Sequence, residues 1–199
     1  MTLPIVQAGE PVLRRAARPL QPNEIRSREI QNLIAEMKET MYAAPGVGLA
    51  APQIGRSIQL AVIEDRHQYM KDWTPEELAA REREPVPFHV IINPRLTLLR
   101  NHQVEFFEGC LSVNGLMALV PRSRSVRVEC LDEKGSAKVI ETTGWYARIL
   151  QHEIDHLLGN LYLDRMYPRT LMTVDNYKKF WVAKSGEEIK RELAVDRSR

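Results

Sequence analysis

Between Glu24 and Met41 the apolar residues Ile25, Ile30, Leu33, Ile34, Met37 and Met41 recur mostly at steps of three to five, the stripe of a helix buried along one side. Pro45 and Gly46 end it. The period then shortens. "IQLAVIE" (Ile58 to Glu64) and "HVIINP" (His89 to Pro94) are short β-branched runs that predict strands. Between them, "DWTPEELAAREREP" combines Thr74, Pro75 and Glu77 as a capping box with proline at the first helical position, and Pro85 closes the run. This predicts a short charged surface helix that serves solvation. "SVRVECLD" (Ser125 to Asp132) and "KVIETT" (Lys138 to Thr143), joined around Gly135, predict a hairpin, with Cys130 as a buried apolar filler. "SGEEIKRELAVDRSR" predicts a terminal helix with a frayed basic end.

One stretch is apolar nearly all round. In "GWYARILQHEIDHLLGN", Trp145, Ile149, Leu150, Ile154, Leu157 and Leu158 cover most of the helical circumference, and Gly159 is a natural C-terminal cap. Such a helix belongs inside. The order of elements therefore predicts an α+β fold, with antiparallel or mixed sheets around this central helix, an N-terminal helix and a C-terminal helix. A length of 199 residues with 44% hydrophobic content predicts a single domain over 1–199.

Charge narrows the function classes. Twenty-eight basic against 26 acidic residues leave a formal charge of +2, too small and too evenly mixed to expect sequence-specific nucleic acid as a partner. No apolar run has the length of a membrane span or a signal-peptide core, so no membrane association or export is expected. The two cysteines, Cys110 and Cys130, are not expected to form a structural disulfide in such a chain.

The apolar helix carries chemistry that its packing does not require. His152 and His156 stand at i and i+4, so both imidazoles project from one face, about 5–6 Å apart at Cβ, and can bind one metal ion. Glu153 lies beside them, the position of the general base in an HExxH site. That motif also arises by chance, but burying three titratable groups is costly unless a cation balances them. A catalytic site needs a third protein ligand. Downstream, the metzincin position is Tyr162, and no Glu occurs before Glu187. Upstream, "EGCLS" (Glu108 to Ser112) offers Cys110, which as thiolate would complete a Cys, His, His set. His67, His89 and His102 are expected at the surface or in packing.

"GVGLAAPQIG" raises a further question, since Gly46 and Gly48 mark places where backbone passes close to something. With GVGLAAPQ, EGCLS and QHEIDHLLG together, in that order and rough spacing, the chain resembles the peptide deformylases, closer to the organellar-type branch found in eukaryotes and some bacteria. The motifs cover only some two dozen residues. The resemblance implies hydrolysis of the formyl group from the N-terminal formylmethionine of newly synthesised polypeptides. It implies Cys110, His152 and His156 as metal ligands, Glu153 as catalytic acid and base, and the Gln53 amide with the Leu111 backbone N–H as oxyanion donors. Gly46, Val47 and Gly48 match the edge along which substrate lies, and Phe106, Trp145 and Ile149 the methionine pocket. For Trp145 and Ile149, ordinary core packing explains the same residues equally well.

Fe(II) is the metal that the resemblance implies, with Zn, Ni or Co also suited to the donor set. The implied partners are N-formylmethionyl nascent peptides and, through the basic C-terminal end, the ribosome. The implied compartment is bacterial cytoplasm, with an organelle as the alternative. One position departs from many bacterial members: Met117 stands where they carry an arginine that contacts substrate backbone. Two other classes fit parts of the pattern. A metalloprotease would cleave internal peptide bonds, and a non-catalytic binding protein would neither hold metal nor release formate.

Overall fold

The computed structural model describes residues 2–99 and 102–195. The first helical stripe divides into two helices, α1 (Pro22–Ile25) and α2 (Arg28–Ala43). The break falls at the five-residue step between Ile25 and Ile30, where the Ser27 side chain accepts from the Ile30 N–H and starts a new helix. Glu24, expected inside one continuous helix, instead folds back on the Gln21 N–H at the start of α1. The buried face of α2 is the predicted one, comprising Ile30, Leu33, Ile34, Met37 and Met41, joined by Thr40.

Two antiparallel sheets follow. The larger runs in the order β1 (Gly48–Ala50), β2 (Leu60–Asp65), β3 (Val86–Leu98), β6 (Ser125–Leu131), β7 (Ala137–Thr143). The smaller holds β4 (Gln103–Cys110), β5 (Val113–Ser123) and β8 (Met172–Thr173). The strands predicted near Ile58 and His89 are β2 and β3, and the predicted hairpin is β6–β7, with Gly135 at φ +76° in its turn. β3 exceeds its apolar run because Asn93, at φ +51°, bulges the strand and lets it continue against β6 in a shifted register. The long β4–β5 hairpin was not expected.

The helix α3 (Pro75–Arg81) forms behind the Thr74–Glu77 capping box, as predicted. It stops short of Pro85 because Glu82 takes a left-handed turn, φ 47°. Solvation is not its only role. Glu82 bonds Arg124 and the Thr143 hydroxyl, while buried Arg83 makes a two-pronged ion pair with buried Asp65, at 2.8 and 2.9 Å. That pair ties the segment to β2.

The helix α4 (Gly144–Leu157) touches β1, β2, β3, β5, β6 and β7, and 11 of its residues are buried. Its apolar side joins Ala50, Ala61, Ile63, Val126 and Val128 in one core. β4, β5 and Tyr162 close its other side. Beyond it, β8 pairs with Leu116 and Met117, and after α5 (Val174–Asn176) a π-helical turn (Tyr177–Trp181) leads to α6 (Gly186–Glu192), capped by Ser185. The expected frayed end, 196–199, lies outside the described residues. No helix among the described residues is long and apolar enough to cross a membrane.

Candidate metal centre

Strand β4 delivers Cys110 to the face of α4 that bears His152 and His156. One donor atom from each lies within 4.8 Å of the other two, and Cys110 Sγ sits 3.3 Å from His156 Nε2. The histidine rings stand edge to face, centroids 4.9 Å apart. Donors converge on the sulfur: Gln53 Nε2 at 3.5 Å and the Ser112 N–H at 3.4 Å. Cys110 is half-buried and Cys130 buried, and they are free thiols.

Sequence reasoning passed over the support for these groups. Glu108 accepts from His152 Nδ1 at 2.9 Å, which orients the ring with Nε2 toward Cys110. The same buried carboxylate accepts two bonds from Arg122, at 2.9 and 3.0 Å, and one from Arg148 at 2.6 Å. Arg122 also pairs with Asp155, which Arg165 binds from outside at 2.5 and 2.6 Å. The signal was present in the sequence, since α4 carries Arg148 and Asp155 as well as the HExxH residues.

Electrostatics separates the two histidines. Burial lowers the His152 pKa, but hydrogen bonds and charge from Cys110 and Glu108 outweigh it and hold the imidazolium well above its ordinary 6.5. Burial, reinforced by His152 and Arg122, drives His156 well below 6.5. One sulfur and two imidazole nitrogens brought this close form a donor set that fits a divalent metal ion. Glu153 is 3% exposed, and burial pushes its carboxyl up to about 7. Its Oε2 has no hydrogen-bond partner, nor has His156 Nδ1.

The glycines lie against this group. A methyl built on Gly48 would stand 2.5 Å from the Glu153 carboxyl carbon and 2.8 Å from its Cγ. One on Gly46 would meet the Leu111 side chain at 2.9 Å. Gln53 is fixed by its Oε1, which accepts from the Ala50 N–H at 2.9 Å, so its Nε2 faces Cys110 and Ser112.

A cavity of about 350 Å³ opens over the centre, lined by Gly46, Val47, Gly48, Gln53, Cys110, Leu111, Trp145, Ile149 and His152. It therefore gathers most of the residues singled out in the sequence. Phe106 is not among its lining residues; its ring backs Trp145 at 6.2 Å, and Phe107 lines the cavity instead. Ile149 serves both core and cavity. His89 packs against Tyr146 and bonds its hydroxyl at 2.9 Å, as expected of a packing residue.

The model of the polypeptide deformylase family matches residues 2–171. The chain belongs to this family. Among relatives, peptide deformylase 1A of tomato, Solanum lycopersicum, assigned to the chloroplast, is 49% identical over 86% of this chain. The chain spans 62% of that relative's length and 64% of the Arabidopsis thaliana counterpart's. The deformylase of Thermus thermophilus is 44% identical, with 83% of each chain covered. Among solved structures, a class I type b deformylase from Acinetobacter baumannii with Met-Ala-Ser bound superimposes with TM-score 0.74 at 31% identity, covering 83% of this chain and 99% of that one. Deformylases are metal-dependent hydrolases, and this chain presents a Cys, His, His cluster in keeping with that. Family membership accords with the α+β class.

Proposed function

We propose that the chain removes the formyl group from N-formylmethionyl peptides, releasing formate and a free amino terminus. The observation that carries this reading is the meeting of Cys110, His152 and His156 within 4.8 Å, with Gln53 beside Cys110 in the cavity and Glu153 packed behind Gly48 of its wall.

Cys110, His152 and His156 would hold a divalent ion, which would supply Lewis acidity and lower the pKa of water toward neutrality. Fe(II) is our choice for the native ion, although Zn, Ni and Co suit the same donors. Glu153 accepts the proton of the attacking water and passes it to the amine as the formyl C–N bond breaks. Gln53 Nε2 and the Leu111 N–H donate to the oxygen on which negative charge develops. Gly46, Val47 and Gly48 offer a strand edge to the peptide backbone, and Trp145 and Ile149 flank the methionine side chain. Glu108, by holding His152, acts as a positioning residue.

The whole of 1–199 acts as one domain in this reading. The substrates are nascent peptides, the ribosome being their source, and the compartment is bacterial cytoplasm or an organelle, the range spanned by the relatives. Formate release from a formyl-Met peptide, assayed with and without chelator and with Cys110→Ala, tests the proposal. The parent should release formate, and both treatments should abolish it. Casein cleavage by the same preparation without formate release would assign it to the proteases, and neither activity in a metal-loaded protein would overturn it as an enzyme.

A further inference from the structure

The cavity above the metal ligands does not end within the three motifs. Phe107, Leu116 and Val174 line it as well. Val174 lies beyond residues 2–171, the part of the chain that the family model matches. It is held there by three attachments and one local helix cap. β8 pairs with Leu116 and Met117 just before it, and the Thr173 hydroxyl accepts from the Asn176 N–H just after it. The Tyr177 ring packs on Phe107 at 4.6 Å, and Lys190 of α6 pairs with Glu105 of β4. The C-terminal segment is thus fastened to β4 and β5 at several points, with its one apolar cavity-lining side chain turned to the groove.

We propose that Val174 is a specificity-determining residue, forming with Leu116 and Phe107 an apolar rim against the first two substrate residues after the methionine. The inference rests on the proposed deformylase activity. A formyl group at Cys110 and His152 leaves a peptide the rest of the same cavity to occupy, and Val174 lines that cavity too. Phe107, Leu116 and Val174 are all apolar, so apolar side chains are favoured beside them.

The test uses the full-length, metal-loaded protein and three peptides: formyl-Met-Leu-Leu, formyl-Met-Asp-Asp and formyl-Met-Lys-Lys. The parent should favour the Leu peptide by kcat/KM. In Val174→Asp the ratio of the Asp to the Lys peptide should fall about two- to fivefold, and in Val174→Lys it should rise as much, the range of an exposed ion pair, with both shifts shrinking in high salt. A merely structural role would not move the ratio in opposite directions. Val174→Ala, which cannot add a charge, should leave the Asp to Lys ratio at the parent value while reducing the preference for Leu. Ratios unchanged in both charged variants would overturn the inference while leaving the activity standing. Absence of formate release from all three peptides with the parent would instead overturn the activity, and the inference with it.

Discussion

Gly48→Ala should cost far more than one methyl group ordinarily does. The added Cβ would lie 2.5 Å from the Glu153 carboxyl carbon, where ordinary contact begins at 3.4 Å. Gly48 cannot retreat easily, because β1 is buried and pairs Gly48 with Ile63. The carboxylate must therefore move by about 1 Å, a displacement that costs on the order of 100-fold when it falls on a reacting group. Overpacking adds about 1–3 kcal/mol of destabilisation. The three nearest atoms all belong to Glu153 and none to Cys110, His152 or His156, so metal content should stay at the parent value. The comparison is Gly46→Ala, whose methyl meets only a terminal methyl of Leu111 at 2.9 Å among side chains closer than 3.4 Å; rotation of that side chain relieves the clash, and kcat should fall less than about tenfold. Steady-state formate release, metal analysis and thermal melts of both variants make the test. Parent kcat in Gly48→Ala would refute the reasoning, as would equal losses in the two.

Other groups give separate readouts. Gln53→Leu removes one donor to the developing oxyanion and should raise the barrier by about 2.7–4 kcal/mol with metal still bound; turnover at the parent rate would exclude that role. Glu108→Gln takes the charge from a carboxylate shared by His152, Arg122 and Arg148. Metal affinity should drop about 10- to 100-fold in a competition titration, and the melting temperature should fall with a loss of about 3–5 kcal/mol, the cost of uncompensated buried charge. The exposed Glu24 carboxyl is held down at about 2, below its ordinary 4.5, by Arg18 and the Gln21 N–H. Its contribution is therefore present above pH 4.5 and fades as the pH falls toward 2. Melts of Glu24→Gln and parent should converge over that window; a constant difference would show that the ion pair is not the cause.

What could be read in the sequence was what periodicity and short spacing encode. The i, i+4 histidines, the Thr74 capping box and the β6–β7 turn depend on neighbours within a few residues, and each is found where expected. The break at Ser27 was missed because two helices that share one buried face carry one hydrophobic stripe. The β4–β5 hairpin was missed because β4, with Glu105, Glu108 and Gly109 among its apolar residues, lacks a clean alternation. Glu108 is the instructive omission. A carboxylate in a strand reads as a solvated residue until three partners from β5 and α4 reach it, and those contacts span 14 to 44 residues. Phe106 and Phe107 show the remaining limit, since adjacent strand residues face opposite ways and the sequence alone does not say which faces the cavity.

The central claim is that one sulfur and two imidazole nitrogens grip a single divalent ion. X-ray absorption on the zinc-loaded protein tests it most directly, together with the metal-to-protein ratio. One ion per chain should appear, with a single sulfur at about 2.3 Å and two nitrogens at about 2.0–2.1 Å, and the sulfur scatterer should vanish in Cys110→Ser. A shell without sulfur in the parent protein, or no stoichiometric ion after loading, would contradict it.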